Sequence, residues 1–171
     1  GLTPRRHQII DYLDWLERQL TQLQVTILFN SPLDAEDAKA LGTDEIIVAT
    51  GSMPDGNGFQ RAMPEYDQLP GIERGQVVTA EDVMARNSRP GHRVLLLDET
   101  ANWKGAGTAL TLAEAGHEVT LVTPAPSVMA EMARTAADIQ LRARLRALGV
   151  QLVTETIVRE WHGDGATIEV A

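Results

Sequence analysis

The sequence predicts an α/β fold: three layers built around a parallel sheet, closed by a C-terminal β-hairpin. Three observations carry this. Short apolar runs at Val94–Leu97, Val119–Val122 and Val150–Val153 have the length of strands and are apolar enough to be buried on both faces. Between them lie helix-length stretches that each stop at a glycine, Gly116 and Gly149. Finally, Ile157–Trp161 and Thr167–Val170 flank His162-Gly163-Asp164-Gly165, whose Asp-Gly pair is a hairpin turn signal.

Taken in order, residues 4–23 read as an amphipathic helix, because Ile9, Leu13, Leu16, Leu20 and Leu23 recur at spacings of three and four. Thr3 is placed as its N-cap and Pro4 at its first turn. Val25–Phe29 is a short β-rich run. Asp34-Ala35-Glu36-Asp37 opens a helix that stops near Gly42, and Glu45–Thr50 (EIIVAT) suits a strand buried on both faces. Residues 51–75 are rich in Gly, Pro, Asp and Asn and read as loop or linker. Val77–Thr79 is a short strand, followed by a helix from Thr79 or Ala80 to Met84. Gly105–Ala115 is a helix of small residues, and with the strands on either side it makes a βαβ unit. Residues 134–148 form another helix with Leu141, Leu145 and Leu148 on one face. The expected division is a partial lobe at 1–60, a linker at 61–76 and a self-contained lobe at 77–171. The first lobe, with two strands and one long helix, is thin for independent stability.

Composition excludes several classes. The chain has 171 residues, 43% hydrophobic and 23% charged, which is the balance of a soluble globular protein. A net charge of −9 and no basic run argue against nucleic acid, since phosphate binding needs clustered Lys and Arg. No apolar stretch approaches the roughly 20 residues that span a bilayer. No signal-like start is present, so a cytoplasmic location is expected, and the opening Gly1-Leu2 without Met reads as the interior of a longer gene. With no cysteine, these residues supply no disulfide, thiolate nucleophile or cluster ligand. His7, His92, His117 and His162 are scattered without metal-ligand spacing. No residue has a credible acid–base or nucleophilic role.

The βαβ unit at 94–122 is of the Rossmann type, in which a G-x-G-x-x-G turn receives a pyrophosphate at the helix N-terminus. Counting back from Gly116 places Gly105 at the third, packing glycine, so Thr100 and Asn102 stand where the first two glycines belong. Asp98 and Glu99 put negative charge there and Trp103 adds bulk. Lys104 and the helix N-terminus remain as anion contacts. Thr123 occupies the end of the second strand, where an acid ordinarily holds the ribose. Two readings stay open: a Rossmann-like scaffold kept for packing, or a binding site in modified form.

The strings EIIVATGSMP (45–54), LPGI (69–72), VVTAEDVM (77–84) and GHRVLLLD…GAGTALTLAEAGHEVTLVT (91–123) occur in an order that resembles the C-terminal region of the trimethylamine dehydrogenase, histamine dehydrogenase and 2,4-dienoyl-CoA reductase family. The resemblance covers nearly the whole chain. It implies a fragment of a flavoprotein with two dinucleotide domains, whose parent carries FMN and a 4Fe–4S cluster on a TIM barrel, with FAD or ADP in the adjoining lobe. It places Thr50, Gly51 and Ser52 of the A-T-G-x-x-P element near the flavin nucleotide, and Asn102, Lys104, Gly105 and Thr123 at the second nucleotide site. No cofactor is expected to be held by this chain alone. Its partners would be the barrel and FAD lobe, a second copy in an oligomer, and an electron carrier of the parent. The damaged turn resembles the amine-dehydrogenase and demethylase branch more than the reductases that use NAD(P)H. The implied function is a non-catalytic scaffold within an oxidoreductase. The alternatives are a genuine NAD(P)H-binding domain and a structural or oligomerisation module without nucleotide.

Overall fold

A computed structural model describes residues 7–171, so the helix start expected at Thr3 and Pro4 lies outside the described residues. The chain forms two compact units, Gln8–Met53 and Pro54–Ala171.

In the first unit, α1 spans Gln8–Gln22, with Tyr12 and Trp15 stacked at 5.7 Å between ring centroids. Helix α2 spans Ala35–Ala40 and is held by a capping box. The Asp34 carboxylate accepts from the backbone of Glu36 and Asp37, and the Asp37 carboxylate accepts from the backbone N–H of Asp34. Neither Val25–Phe29 nor Glu45–Thr50 is a strand. Ile47 and Val48 are 90% and 78% exposed, the reverse of the expected burial. β-propensity is a preference for a paired, packed surface, and among the described residues of this unit there is no strand to pair with.

The second unit contains α3 (Ala80–Met84), β1 (Arg93–Leu97), α4 (Trp103–Glu114), β2 (Glu118–Val122), α5 (Ala137–Ala147), β3 (Gln151–Val153), β4 (Thr156–Trp161) and β5 (Ala166–Val170). The three-stranded sheet is parallel throughout, ordered β1-β2-β3, with Leu96 beside Leu121 and Leu121 beside Leu152. Gly116 (φ +91°) and Gly149 (φ +81°) follow α4 and α5 in the left-handed conformation expected of them. Helix α4 begins two residues before Gly105 because Asn102 caps it. Helix α5 starts late because a 3-10 turn at Ala130–Thr135 and a left-handed Ala136 precede it. Val77–Thr79 is not a strand; the Thr79 hydroxyl is used instead to cap α3 by accepting from Asp82 N at 3.0 Å.

Alternation along the strands builds the layers. Val94, Leu96, Val119 and Leu121 join the helix-side core with Ala106, Ala109, Leu141 and Leu145. Leu95, Leu97, Val122 and Val153 face the other way and meet Leu69, Val158 and Trp161. The third layer is therefore the antiparallel β4–β5 hairpin together with the segment before α3. The hairpin closes with His162 N donating to Gly165 O at 2.8 Å, and a register irregularity falls between Val158 and Glu160.

The division between units falls at Met53 and Pro54, whereas the sequence placed a linker at 61–76. That segment is a strap fastened to the hairpin. Gln60 is buried, donating to Val158 O at 2.6 Å and accepting from Val158 N at 2.8 Å. Met63 and Leu69 are buried beside it. Farther on, Trp161 N donates to Pro70 O at 2.9 Å, Arg74 donates to Trp161 O at 2.7 Å, and the Trp161 indole donates to Gly75 O at 2.8 Å. A few buried anchors in a polar, aperiodic stretch leave no pattern for periodicity to detect.

Candidate functional site

In open α/β sheets ligands enter at the carboxyl ends of the strands. Here those ends form an open crevice of about 720 Å³ beside β1 and β2, with Arg61, Glu99, Thr100, Asn102, Pro126 and Glu131 in its walls. Two acids face one arginine, which favours a cation or a neutral group over a phosphate.

The turn from β1 to α4 is built from side chains bonded to their own backbone. Asp98 is 3% exposed. Its Oδ1 accepts from Thr100 N at 3.1 Å, Ala101 N at 3.0 Å and the Thr100 hydroxyl at 2.9 Å. These bonds hold Ala101 at φ +45°, a left-handed conformation for which glycine is the usual choice. Asn102 accepts from Lys104 N at 2.8 Å. A methyl group on Gly105 would lie 2.2 Å from Asp98 Cγ and 2.4 Å from its Oδ2, so the glycine is needed for a close approach. Of the residues expected at this site, Asn102, Lys104 and Gly105 come together with Thr100.

Lys104 does not stand free, because its Nζ lies 2.6 Å from Glu81 Oε1 on α3. The hydrogen bond from Lys104 holds the Glu81 carboxyl below its ordinary range, against the opposing effect of desolvation. A carboxyl lowered in the folded state adds stability above its unfolded value, and that stability is lost as pH falls through the folded value. Both side chains are about half exposed, so the pair is worth about 0.2–1 kcal/mol. Lys104→Met is expected to flatten the decline of the urea midpoint below about pH 4.5, Glu81's ordinary value, measured against wild type across an acid series.

Thr123 is fully buried. Its N–H donates to Val153 O at 2.9 Å, its carbonyl accepts from Thr156 N at 3.0 Å, and its hydroxyl accepts from Ala125 N at 3.3 Å. It joins β2 to β3 and β4, and the crevice wall is taken up by Pro124, Ala125 and Pro126. Thr50, Gly51 and Ser52 belong to the Gln8–Met53 unit and are exposed there; Gly51 has φ +70° with open space around its Cα. Sequence reasoning missed Arg61 and Glu81 altogether, and it read Asp98 only as negative charge beside the pyrophosphate position. Asp98 followed by Thr100 is an Asx-turn signal that could have turned the carboxylate inward. Among the described residues no group of three or more His, Asp or Glu could hold a metal ion, and no helix is long and apolar enough to cross a membrane.

The family described as pyridine nucleotide-disulphide oxidoreductase matches residues 16–171. The chain belongs to this family. Among curated proteins, this family member is 34% identical over 132 residues to a probable N-methylproline demethylase of Rhizobium meliloti (strain 1021), covering 75% of the chain and 18% of that protein. It is 30% identical over 120 residues to the N,N-dimethylglycine/sarcosine dehydrogenase of Chromohalobacter salexigens, covering 70% of the chain and 17% of that protein. Among solved structures, histamine dehydrogenase from Rhizobium sp. 4-9 superposes with a TM-score of 0.79 at 25% identity, covering 99% of the chain and 26% of that chain. The amine oxidase for 6-hydroxypseudooxynicotine from Pseudomonas geniculata N1 gives 0.79 at 27% identity, covering 91% and 24%. The chain thus spans less than a fifth of the curated relatives it matches. The resemblance to the trimethylamine dehydrogenase, histamine dehydrogenase and 2,4-dienoyl-CoA reductase family read from its motifs holds, and the relatives are named as demethylase, dehydrogenase and amine oxidase.

Proposed function

We propose that this chain is part of a larger flavin-dependent oxidoreductase of the amine dehydrogenase or demethylase type. In that reading Pro54–Ala171 is the lobe that in related enzymes binds NAD(P), and here it serves as a scaffold without nucleotide. The remainder of the parent would carry FMN and a 4Fe–4S cluster, for which this chain has no cysteine ligand. FAD or ADP would sit in the adjoining lobe, and electrons would leave to a carrier protein.

The observation that supports this is the state of the β1–α4 turn. A pyrophosphate needs free backbone N–H groups, close approach and nearby positive charge. The N–H groups of Thr100, Ala101 and Lys104 are already bound by Asp98 and Asn102. The Lys104 ammonium is paired with Glu81. These residues do not fit a dinucleotide phosphate, and no step is assigned to one. The parent enzyme is expected to bind NADH and NADPH more weakly than ~100 µM, about −5.5 kcal/mol, and its flavin to stay oxidised in their presence. Titration calorimetry and flavin absorbance test this, and rapid flavin reduction by NADPH would refute it.

The second reading, a working NAD(P)H lobe, is favoured by the crevice at the strand ends and by Arg61 on its wall. The same titration separates the two.

A further inference from the structure

We propose that the Asp98 carboxylate is the built-in occupant of the anion seat at the head of α4, and that Gly105 is retained to give that carboxylate room. This rests on the scaffold reading above and explains how the seat came to be closed.

The first turn of a helix offers converging N–H groups and the positive end of the dipole, which is why phosphates settle there. In this chain Thr100 N and Ala101 N, in the loop that leads into the N-cap Asn102, converge on Asp98 Oδ1, joined by the Thr100 hydroxyl, and the carboxylate lies against the first turn of α4 at Gly105. The carboxylate is drawn from the end of β1 into the interior, where Asp98 is 3% exposed and Oδ2 has no hydrogen-bond partner. Burying a carboxylate is costly unless fixed dipoles stabilise it. Two backbone donors, a hydroxyl and the end of a twelve-residue helix supply that here.

The glycine supports the same assignment. In the nucleotide-binding form of this turn, the third glycine lets the helix lie close to the strand. At Gly105 the three nearest atoms a methyl would meet are Cγ, Oδ2 and Cβ of Asp98, at 2.2, 2.4 and 2.7 Å, and none belongs to the backbone of β1. The space a Cβ would take is filled by an acid side chain. The glycine therefore survives for a different neighbour, while the two glycines that would have served a pyrophosphate are gone. Asp98 is then the residue that decides whether this lobe accepts a dinucleotide phosphate.

The test uses the full chain and has two arms. In the first, thermal unfolding is compared for Gly105→Ala, Asp98→Ala and the double variant. Gly105→Ala is expected to lower Tm by about 5 °C or more. In the Asp98→Ala background the same change is expected to lower it by less than about half as much, because the atoms it collides with are absent. Equal losses in both backgrounds would show that Gly105 serves only the helix–strand contact and would overturn the proposal. In the second arm, sodium pyrophosphate and NADH are titrated into wild type, Asp98→Asn and Asp98→Ala. Wild type and Asp98→Asn, which keeps an oxygen in the seat, are expected to bind neither. Asp98→Ala is expected to bind pyrophosphate at least about tenfold more tightly. A folded Asp98→Ala that gains nothing overturns the proposal and leaves the scaffold reading standing. NADH bound as well by wild type as by Asp98→Ala overturns both. Asp98→Gly carries the same expectations should Asp98→Ala fail to fold, since it too leaves no side-chain oxygen in the seat.

Discussion

Gly71→Ala is expected to destabilise the Pro54–Ala171 unit by about 2–5 kcal/mol, from left-handed strain of about 1–2 kcal/mol together with overpacking of about 1–3 kcal/mol. Gly71 has φ +83°, and a methyl there would come within 1.9 Å of the Trp161 carbonyl oxygen. That oxygen cannot give way easily. It belongs to the backbone of β4 and is held by Arg74 at 2.7 Å, while Trp161 N is held by Pro70 O at 2.9 Å. Relief would require breaking either the hairpin or the strap. The urea midpoint of Gly71→Ala against wild type measures the effect, and an unchanged midpoint would contradict the close contact. Gly75, at φ +80° and ψ −174° in a backbone region essentially confined to glycine, has no atom within 4 Å of a Cβ and so isolates backbone strain from overpacking. Gly75→Ala is expected to carry the conformational strain alone.

Gln60→Ala is expected to cost about 2–6 kcal/mol by a different route. It would leave the N–H and the carbonyl of Val158 without their partners at a site where Val158 is 2% exposed. Each unsatisfied buried group costs about 1–3 kcal/mol. The loss should be local as well as global. Hydrogen exchange is expected to quicken at Val158 and across the strap while the β1–β2 ladder stays protected. Gln60→Glu is the sharper variant: it keeps the shape and the acceptor, removes the donor and buries a charge, so it should be no better than alanine. Protection at Val158 that is the same in Gln60→Ala and wild type would rule out this grip.

The sequence was most legible where short-range chemistry and tertiary packing agree. The strands at 94–97, 119–122 and 150–153 are apolar on both faces because helices cover one side and the hairpin the other. Gly116 and Gly149 end their helices for the backbone reason that made them readable. What escaped depended on partners distant in sequence. Val25–Phe29 and Glu45–Thr50 carry β-propensity, yet a strand is a relation between two segments and the second is missing among the described residues. The strap has no periodicity, and its anchors, Gln60, Met63 and Leu69, are ordinary residues until their burial is known. At the turn, counting from Gly116 led to Gly105 as a helix–strand packing glycine, whereas the atoms pressed against it are those of the Asp98 side chain, and Asp98 was read by its charge alone. Its true neighbours are backbone N–H groups two and three residues ahead, and a charge count does not see a side chain folded back on its own loop.

The reach of Gln60 across the chain has a kinetic meaning. Gln60 and Val158 are 98 residues apart. Closing a flexible loop of that length costs about 4 kcal/mol, more than two hydrogen bonds worth about 0.5–1.5 kcal/mol each return. The strap cannot help to nucleate the fold. It closes once β1, β2, β3 and the hairpin have drawn the distant ends together, and it acts as a latch on a finished sheet. Its contacts are then expected to be absent from the folding transition state, so Gln60→Ala should speed unfolding and leave the folding rate nearly unchanged in a stopped-flow chevron. The residues that looked most like a linker set how long the folded lobe lasts.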